Sequence, residues 1–331
     1  MKNRLIALAI LGSAAGAAQA QSNVTIYGVV DAGISHENNG STSVTRLDSG
    51  ILNSSRLGFK GLEDLGGGMA ALFQIESGFS VDSGAQADAA KFFNRQSFVG
   101  LSSSFGTVRM GRQVNPVYAN NATFDPFKIG MVGDSSRLIS FNGSRTDNLL
   151  TYSYAANGFR SELQYGFGEV AGNTAANRTV AGYLGYQQGP VDVVVTHQNI
   201  RNAGDTGSTE MTLLGGNYHF GWARLYAAYA KEKGVILGTT GKLNQRDLLL
   251  GLTASAGDTG TIVFSYIRKT DKALANADAT QIAVGYIYDL SKRTALYTSY
   301  GQLRNDGAAK YKVATAGATD KVFDVGVRHF F

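Results

Sequence analysis

About sixteen times along this 331-residue chain, a segment of about ten residues alternates apolar with polar side chains. The connections between these segments alternate strictly between short turns and long polar loops. A period of two gives each segment one oily and one wet face. From Asn23 to Ser35, Val24, Ile26, Val30, Ala32 and Ile34 oppose Thr25, Tyr27 and Asp31. Leu57, Phe59 and Gly61 oppose Arg56, Gly58 and Lys60; Val191, Val193 and Val195 oppose Asp192, Thr196 and Gln198; Leu248, Leu250 and Leu252 oppose Asp247, Gly251 and Thr253. At the end of the chain, Phe323, Val325, Val327, His329 and Phe331 oppose Asp324, Gly326 and Arg328. Charges on the second face suit a wall between lipid and a water-filled lumen better than a buried soluble sheet. The segments Phe92–Ser102 and Ala295–Tyr300 alternate less cleanly, and their faces stay unassigned.

Loop lengths sort by side. Short turns are expected at 64–68, 104–106, 157–158, 188–190, 220–221, 256–258 and 290–292. Long loops are expected at 37–53, 80–91, 115–145, 169–177, 201–208, 233–244, 270–278 and 304–319. Short turns on the periplasmic side and long loops outside are the outer-membrane arrangement. The expected fold is therefore all-β, a transmembrane antiparallel up-and-down barrel of about sixteen strands. Tyr and Phe gather near segment ends, among them Tyr27, Phe59, Tyr154, Tyr218, Phe220 and Tyr288, as interfacial girdles require. The last strand, Lys321–Phe331, should pair beside the first and leave no open edge in lipid.

Residues 1–20 read as a secretory signal peptide: Lys2 and Arg4, a short apolar stretch from Leu5 to Leu11, then Ala18-Gln19-Ala20. The mature chain is expected to begin at Gln21 and to form a single barrel domain over 21–331. After the signal, no apolar run approaches the ~20 residues of a membrane helix. Hydrophobic residues make up 44% of the chain, and the mean hydropathy is −0.09. That average is what a wall with half its positions facing water produces. The absence of Cys removes thiolate metal sites and Cys nucleophiles. The formal charge of +5 falls to roughly +3 without Lys2 and Arg4, too mild to argue for nucleic acid. None of His36, His197, His219 and His329 falls in an ordered catalytic signature, and no G-x-S-x-G is present. Gly66-Gly67-Gly68 lacks the Lys-Ser/Thr of a phosphate loop. Nothing here calls for an enzyme, a cofactor or a metal. A hydrolase whose groups cluster only in space, and an adhesin displaying its loops, are the competing classes.

Four stretches carry a resemblance that spans the mature chain. They are Val24–Gly33, Ser55–Gly61 with Glu63–Gly68, Asn94–Leu101 with Phe105–Val108, and Leu290–Thr294 with Gly326–Phe331. In these the chain resembles the general outer-membrane porins of beta-proteobacteria, the Neisseria and Burkholderia type. The resemblance implies a sixteen-stranded homotrimer with its third loop folded into the pore, passing small hydrophilic solutes passively with a weak anion preference. A substrate-specific channel for small anionic solutes is the alternative. Outer-membrane lipid, lipopolysaccharide and the barrel assembly machinery are the implied partners, and a terminal Phe331 resembles the signal that this machinery reads.

The longest connection, 114–145, is the candidate constriction loop. It holds Asp125-Pro126-Phe127-Lys128 and Asp134, whose carboxylates are expected to face a basic wall of Arg56, Lys60, Arg95, Arg109 and Arg112 across the lumen. Arg56 and Lys60 point inward by alternation; Arg95 rests on its family motif. Trimer contacts are expected on the early and late strands, where Gly28, Gly33, Gly61 and Gly100 permit close approach.

Overall fold

The structure, a computed structural model, describes residues 23–239 and 241–331. The proposed signal peptide, 1–20, lies outside the described residues. Among the described residues seventeen strands form one sheet. The first run is β1 (Asn23–Asn38), β2 (Ser43–Ser49), β3 (Arg56–Gly66), β4 (Met69–Gly78), β5 (Gln96–Ser103) and β6 (Gly106–Val114). After helix α1 (Pro116–Phe124) come β7 (Arg145–Ala156), β8 (Phe159–Gly166), β9 (Thr179–Gln188), β10 (Val191–Arg201), β11 (Ser208–His219) and β12 (Ala223–Val235). The last run is β13 (Lys242–Ala256), β14 (Gly260–Asp271), β15 (Ala279–Asp289), β16 (Thr294–Asn305) and β17 (Thr319–Phe330).

From β3 onward each strand pairs antiparallel with the next, and β17 returns to β1, from Val29 opposite Phe330 to Asn38 opposite Lys321. The sheet is thereby closed. β2 and β3 pair with the same edge of β1, one along its upper half and one along its lower half. They share one position, so the barrel wall has sixteen. The stretch 37–53, expected as an open loop, thus contains a strand. β1 is 16 residues long, more than the ~10 that cross hydrocarbon. Its projecting half has an unpaired edge whose N–H and C=O groups need partners, and the polar segment 43–49 supplies them.

Side-chain facing follows the alternation. Leu163, Leu184, Leu214, Phe323, Val325 and Val327 stand on the outer surface, whereas Asp31, Glu76, Thr196, Gln198, Asp247 and Asp324 are buried inside. A chain folded against water would reverse this pattern. Among the described residues no helix is long and apolar enough to cross a membrane; the crossing elements are strands. The short connections all lie at one end, as expected, and Asn157-Gly158 shows why they can be tight. Both residues have positive φ, 52° and 82°, which matches a hairpin turn to the twist of its strands. Exposed aromatics ring this end: Phe105, Tyr154, Phe159, Tyr218, Phe220 and Trp222. Tyr27 does not join them. It faces the lumen, where its hydroxyl donates to Glu76 Oε2 at 2.9 Å.

The two unassigned segments resolve as well. β5 begins at Gln96, so 92–95 belong to a loop. In β16 the inward side carries Tyr297, buried, with its hydroxyl donating to Asp31 Oδ1 at 2.7 Å. An apolar ring on the wet side is what blurred the alternation there.

Candidate functional site

The connection 115–144 turns into the barrel because it carries more apolar surface than an exterior loop can leave in water. Val117, Phe124, Phe127, Val132, Leu138, Ile139 and Phe141 are all buried. Asn115 caps α1, accepting from Tyr118 N at 2.7 Å, and Pro116 occupies the first turn, where no N–H is needed. The opposite wall receives the loop on glycines. A Cβ at Gly215 of β11 would come within 2.5 Å of Phe124, at Gly285 of β15 within 3.0 Å of Phe127, and at Gly301 of β16 within 2.9 Å of Val132; Gly251 of β13 lies directly under Pro126. Polar contacts lock this seat. Asn120 Nδ2 donates to Thr196 Oγ1 at 3.0 Å, Gln281 Nε2 to Asp134 O at 3.1 Å and Asn142 Nδ2 to Glu232 Oε1 at 2.8 Å. Arg137 pairs with Asp320, and Met131 N donates to Ile51 O at 2.6 Å.

The two carboxylates expected to face the basic wall do not do so as drawn from the sequence. Asp125 is fully buried inside the loop, accepting from Phe127 N (2.9 Å), Ile129 N (3.2 Å) and Ser135 N (3.0 Å). The loop reverses direction after α1, leaving these backbone donors without helix partners, and one carboxylate satisfies all three. Burial pushes its carboxyl up to about 6, against the pull of the Ser135 and Phe127 hydrogen bonds. Asp134 caps the short turn 135–137 through Ser136 N and Oγ, both at 2.7 Å, and burial raises it too. What the loop turns outward is largely uncharged, with Ala119 and Thr123 exposed on α1 and Tyr118 half-buried; Lys128 is exposed at the tip.

The basic side is built on β3 to β7. Arg56 Nε lies 3.5 Å from Glu76 Oε2, and Arg95 Nε donates to Glu76 Oε1 at 2.7 Å. Arg145 Nε donates to Arg95 O at 3.3 Å, and its guanidinium sits over the Tyr118 ring, 5.3 Å from the centroid. Among the described residues Arg145 pairs with no carboxylate, so three guanidinium groups gather around one carboxylate and an aromatic face. Lys60 extends the patch, 5.4 Å from the Tyr27 ring centroid. Arg112 belongs to a separate cluster with Asp147 and Lys91. Arg109 donates to Glu162 Oε2 at 2.6 Å and covers Phe98. Of the expected wall residues, Arg56 and Arg95 come together, Lys60 flanks them, and Arg109 and Arg112 are each held by a carboxylate.

Glu76 and Arg145 were missed in the sequence. Gln74 and Glu76 alternate with Phe73 and Ile75, which was a readable signal for two polar side chains facing water. Arg145 stands at the boundary between loop and strand, where facing is not legible. Below the loop tip, Lys128, Arg224 and Arg328 line a cavity of about 400 Å³ with Asp289 and His219.

A family model described as Gram-negative porin matches residues 7–308. The chain is similar to outer membrane porin protein 32 of Delftia acidovorans, 33% identical with all of both chains covered. It is also similar to the major outer membrane protein P.IB of Neisseria meningitidis, 28% identical with the same full coverage. Among solved structures, the anion-selective porin from Comamonas acidovorans superposes with a TM-score of 0.82 and 30% identity, over 94% of this chain and 100% of that one.

Proposed function

As the chain belongs to the Gram-negative porin family and forms a water-filled outer-membrane channel, we propose that this channel prefers anions and that Arg56, Arg95 and Arg145 set the preference. The observation that carries this reading is that Arg56 and Arg95 share a single carboxylate, Glu76, while Arg145, bonded to Arg95 O, adds a third guanidinium beside them, with no opposing carboxylate exposed on the loop. An ion in a narrow passage sheds hydration, and fixed positive charge offsets that loss for anions while raising the barrier for cations. The similarity to the anion-selective porin from Comamonas acidovorans supports it. A file of unpaired cations would favour a substrate-specific anion channel. Here Arg109, Arg112 and Arg160 are each held by Asp or Glu, which favours general diffusion of small hydrophilic solutes. Fold and family are those of a channel rather than an enzyme. Planar-bilayer recording under a salt gradient tests the reading. Arg56→Glu and Arg95→Glu should each move the reversal potential toward cation preference, and no movement in either removes these residues from the selectivity site.

The functional unit is a homotrimer in this reading. Ala71, Ser77 and Ser97 on the outer side of β4 and β5 are small enough for close protein contact within lipid. The early glycines support it less than expected, because Gly28 lies under the Phe331 ring and Gly61 under Phe73 of the same chain. Light scattering in detergent that returns a monomer mass would contradict the trimer. Lipid and lipopolysaccharide contact the outer belt, and the assembly machinery reads Phe331. That residue also exchanges backbone hydrogen bonds with Gly28, at 3.1 and 3.2 Å, at the barrel seam. Deleting Phe331 should lower the yield of inserted protein while the channels that do form keep their conductance; an unchanged yield would leave Phe331 without an assembly role.

A further inference from the structure

Beneath α1, against β5 to β10, lies a chamber of about 390 Å³, within the ~300–1,000 Å³ range of small-molecule sites. Its chemistry differs from that of the constriction. Its charges cancel in place: Arg109 donates to Glu162 at 2.6 Å, and Arg160 donates to Asp192 at 2.6 Å and to Gln187 Oε1 at 3.3 Å. The remaining polar lining is mostly amide, and much of it is unpartnered. Gln113 is 2% exposed, and neither its Oε1 nor its Nε2 has a hydrogen-bond partner. Gln164 is 3% exposed; its Nε2 donates to Val114 O and Glu162 Oε1, while its Oε1 is unpartnered, as is Gln96 Oε1. Tyr183 supplies an aromatic surface.

Buried amide groups without partners are costly, and a solute that supplies both donors and acceptors removes the cost. An anion satisfies only donors; here both guanidinium groups already serve Glu162 and Asp192, and the unpartnered atoms mix the donors Gln113 Nε2 and Arg109 Nε with the amide oxygens of Gln96, Gln113 and Gln164. A hydroxyl both donates and accepts, so adjacent hydroxyls on a ring match alternating amide oxygen and nitrogen. We propose that this chamber is a lateral subsite for a neutral polyhydroxylated solute of monosaccharide size. It stands apart from the arginine cluster and goes beyond the anion-diffusion reading.

The test is open-channel current analysis in planar bilayers with D-glucose as the probe. Glucose should add excess noise that saturates with concentration, and Gln113→Leu should weaken its apparent affinity about fivefold, the loss expected for one or two hydrogen bonds. Gln187→Leu alters an exposed chamber residue and should weaken glucose in the same direction, which keeps the test decisive if the buried substitution fails to fold. Glucose noise that does not saturate, or that is unchanged in the folded variants, overturns the subsite. Equal or stronger saturable noise from glycine, lost in Gln187→Leu, would assign the chamber to zwitterions and overturn the neutral-solute assignment. The reversal potential of the unsubstituted channel, read in the same recordings, tests the arginine cluster separately.

Discussion

The two sides of the lumen are built from the same alternating strands, yet they do opposite work. On β10 to β16 the inward side is packed against the inserted loop: Leu213, Leu249, Ile267 and Leu303 are buried beside the paired Lys269 and Asp247, and glycines seat Phe124, Pro126, Phe127 and Val132 of the loop. On β3 to β8 and the loop before β5 the inward side holds Arg56, Arg95, Arg109 and Arg160, paired with Glu76 and Glu162 on the same wall and with Asp192 at the start of β10. The loop's apolar residues are therefore spent on one wall, and its exposed surface faces the other. Anchoring and selectivity are separated in space, so substitutions should separate them too.

The largest effect should come from disturbing the seat. Gly251→Phe places a ring where Pro126 rests, an overpacking that costs on the order of 1–3 kcal/mol or more. Single-channel records should show a changed conductance with strong flicker; a quiet channel of unaltered conductance would mean that the loop is held by its polar contacts alone. Next comes the charged wall. Arg145→Ala removes the guanidinium that has no carboxylate partner and should shift the reversal potential clearly. Arg109→Ala removes a paired one and should shift it less. Equal shifts would mean that pairing does not decide which arginine acts on a passing ion.

The smallest effect concerns Asp125. Its carboxyl is raised to about 6 from an ordinary value of 3.8, so the folded loop binds the proton more tightly than the unfolded chain. The loop's stability should rise as pH falls through about 6 and level off below 3.8, by on the order of 1–3 kcal/mol. Open-channel noise should accordingly decrease between pH 7.5 and 5. Asp125→Asn should abolish that pH dependence and move the reversal potential less than Arg145→Ala does. A large selectivity change in Asp125→Asn would restore the carboxylate to the pore.

Period two was enough to read the wall. Val24, Ile26 and Ile34 turned outward, Asp31 and Asp324 inward, and the sorting of loops by length indicated two sides, because each of these depends on neighbours in the chain and on one apolar solvent outside. The same rule placed Arg56 and Lys60 on the wet side. It did not show that Arg145 joins Arg56 and Arg95 around Glu76, nor that Asp125 folds back on Phe127, Ile129 and Ser135. Those depend on which glycine of a distant strand lies under which loop residue, as Gly285 lies under Phe127 and Gly301 under Val132. Alternation is a local property of the backbone. The division of the lumen into a wall that seats the loop and a wall lined by arginines arises only when the barrel closes and a single loop must choose one wall on which to bury its apolar side chains.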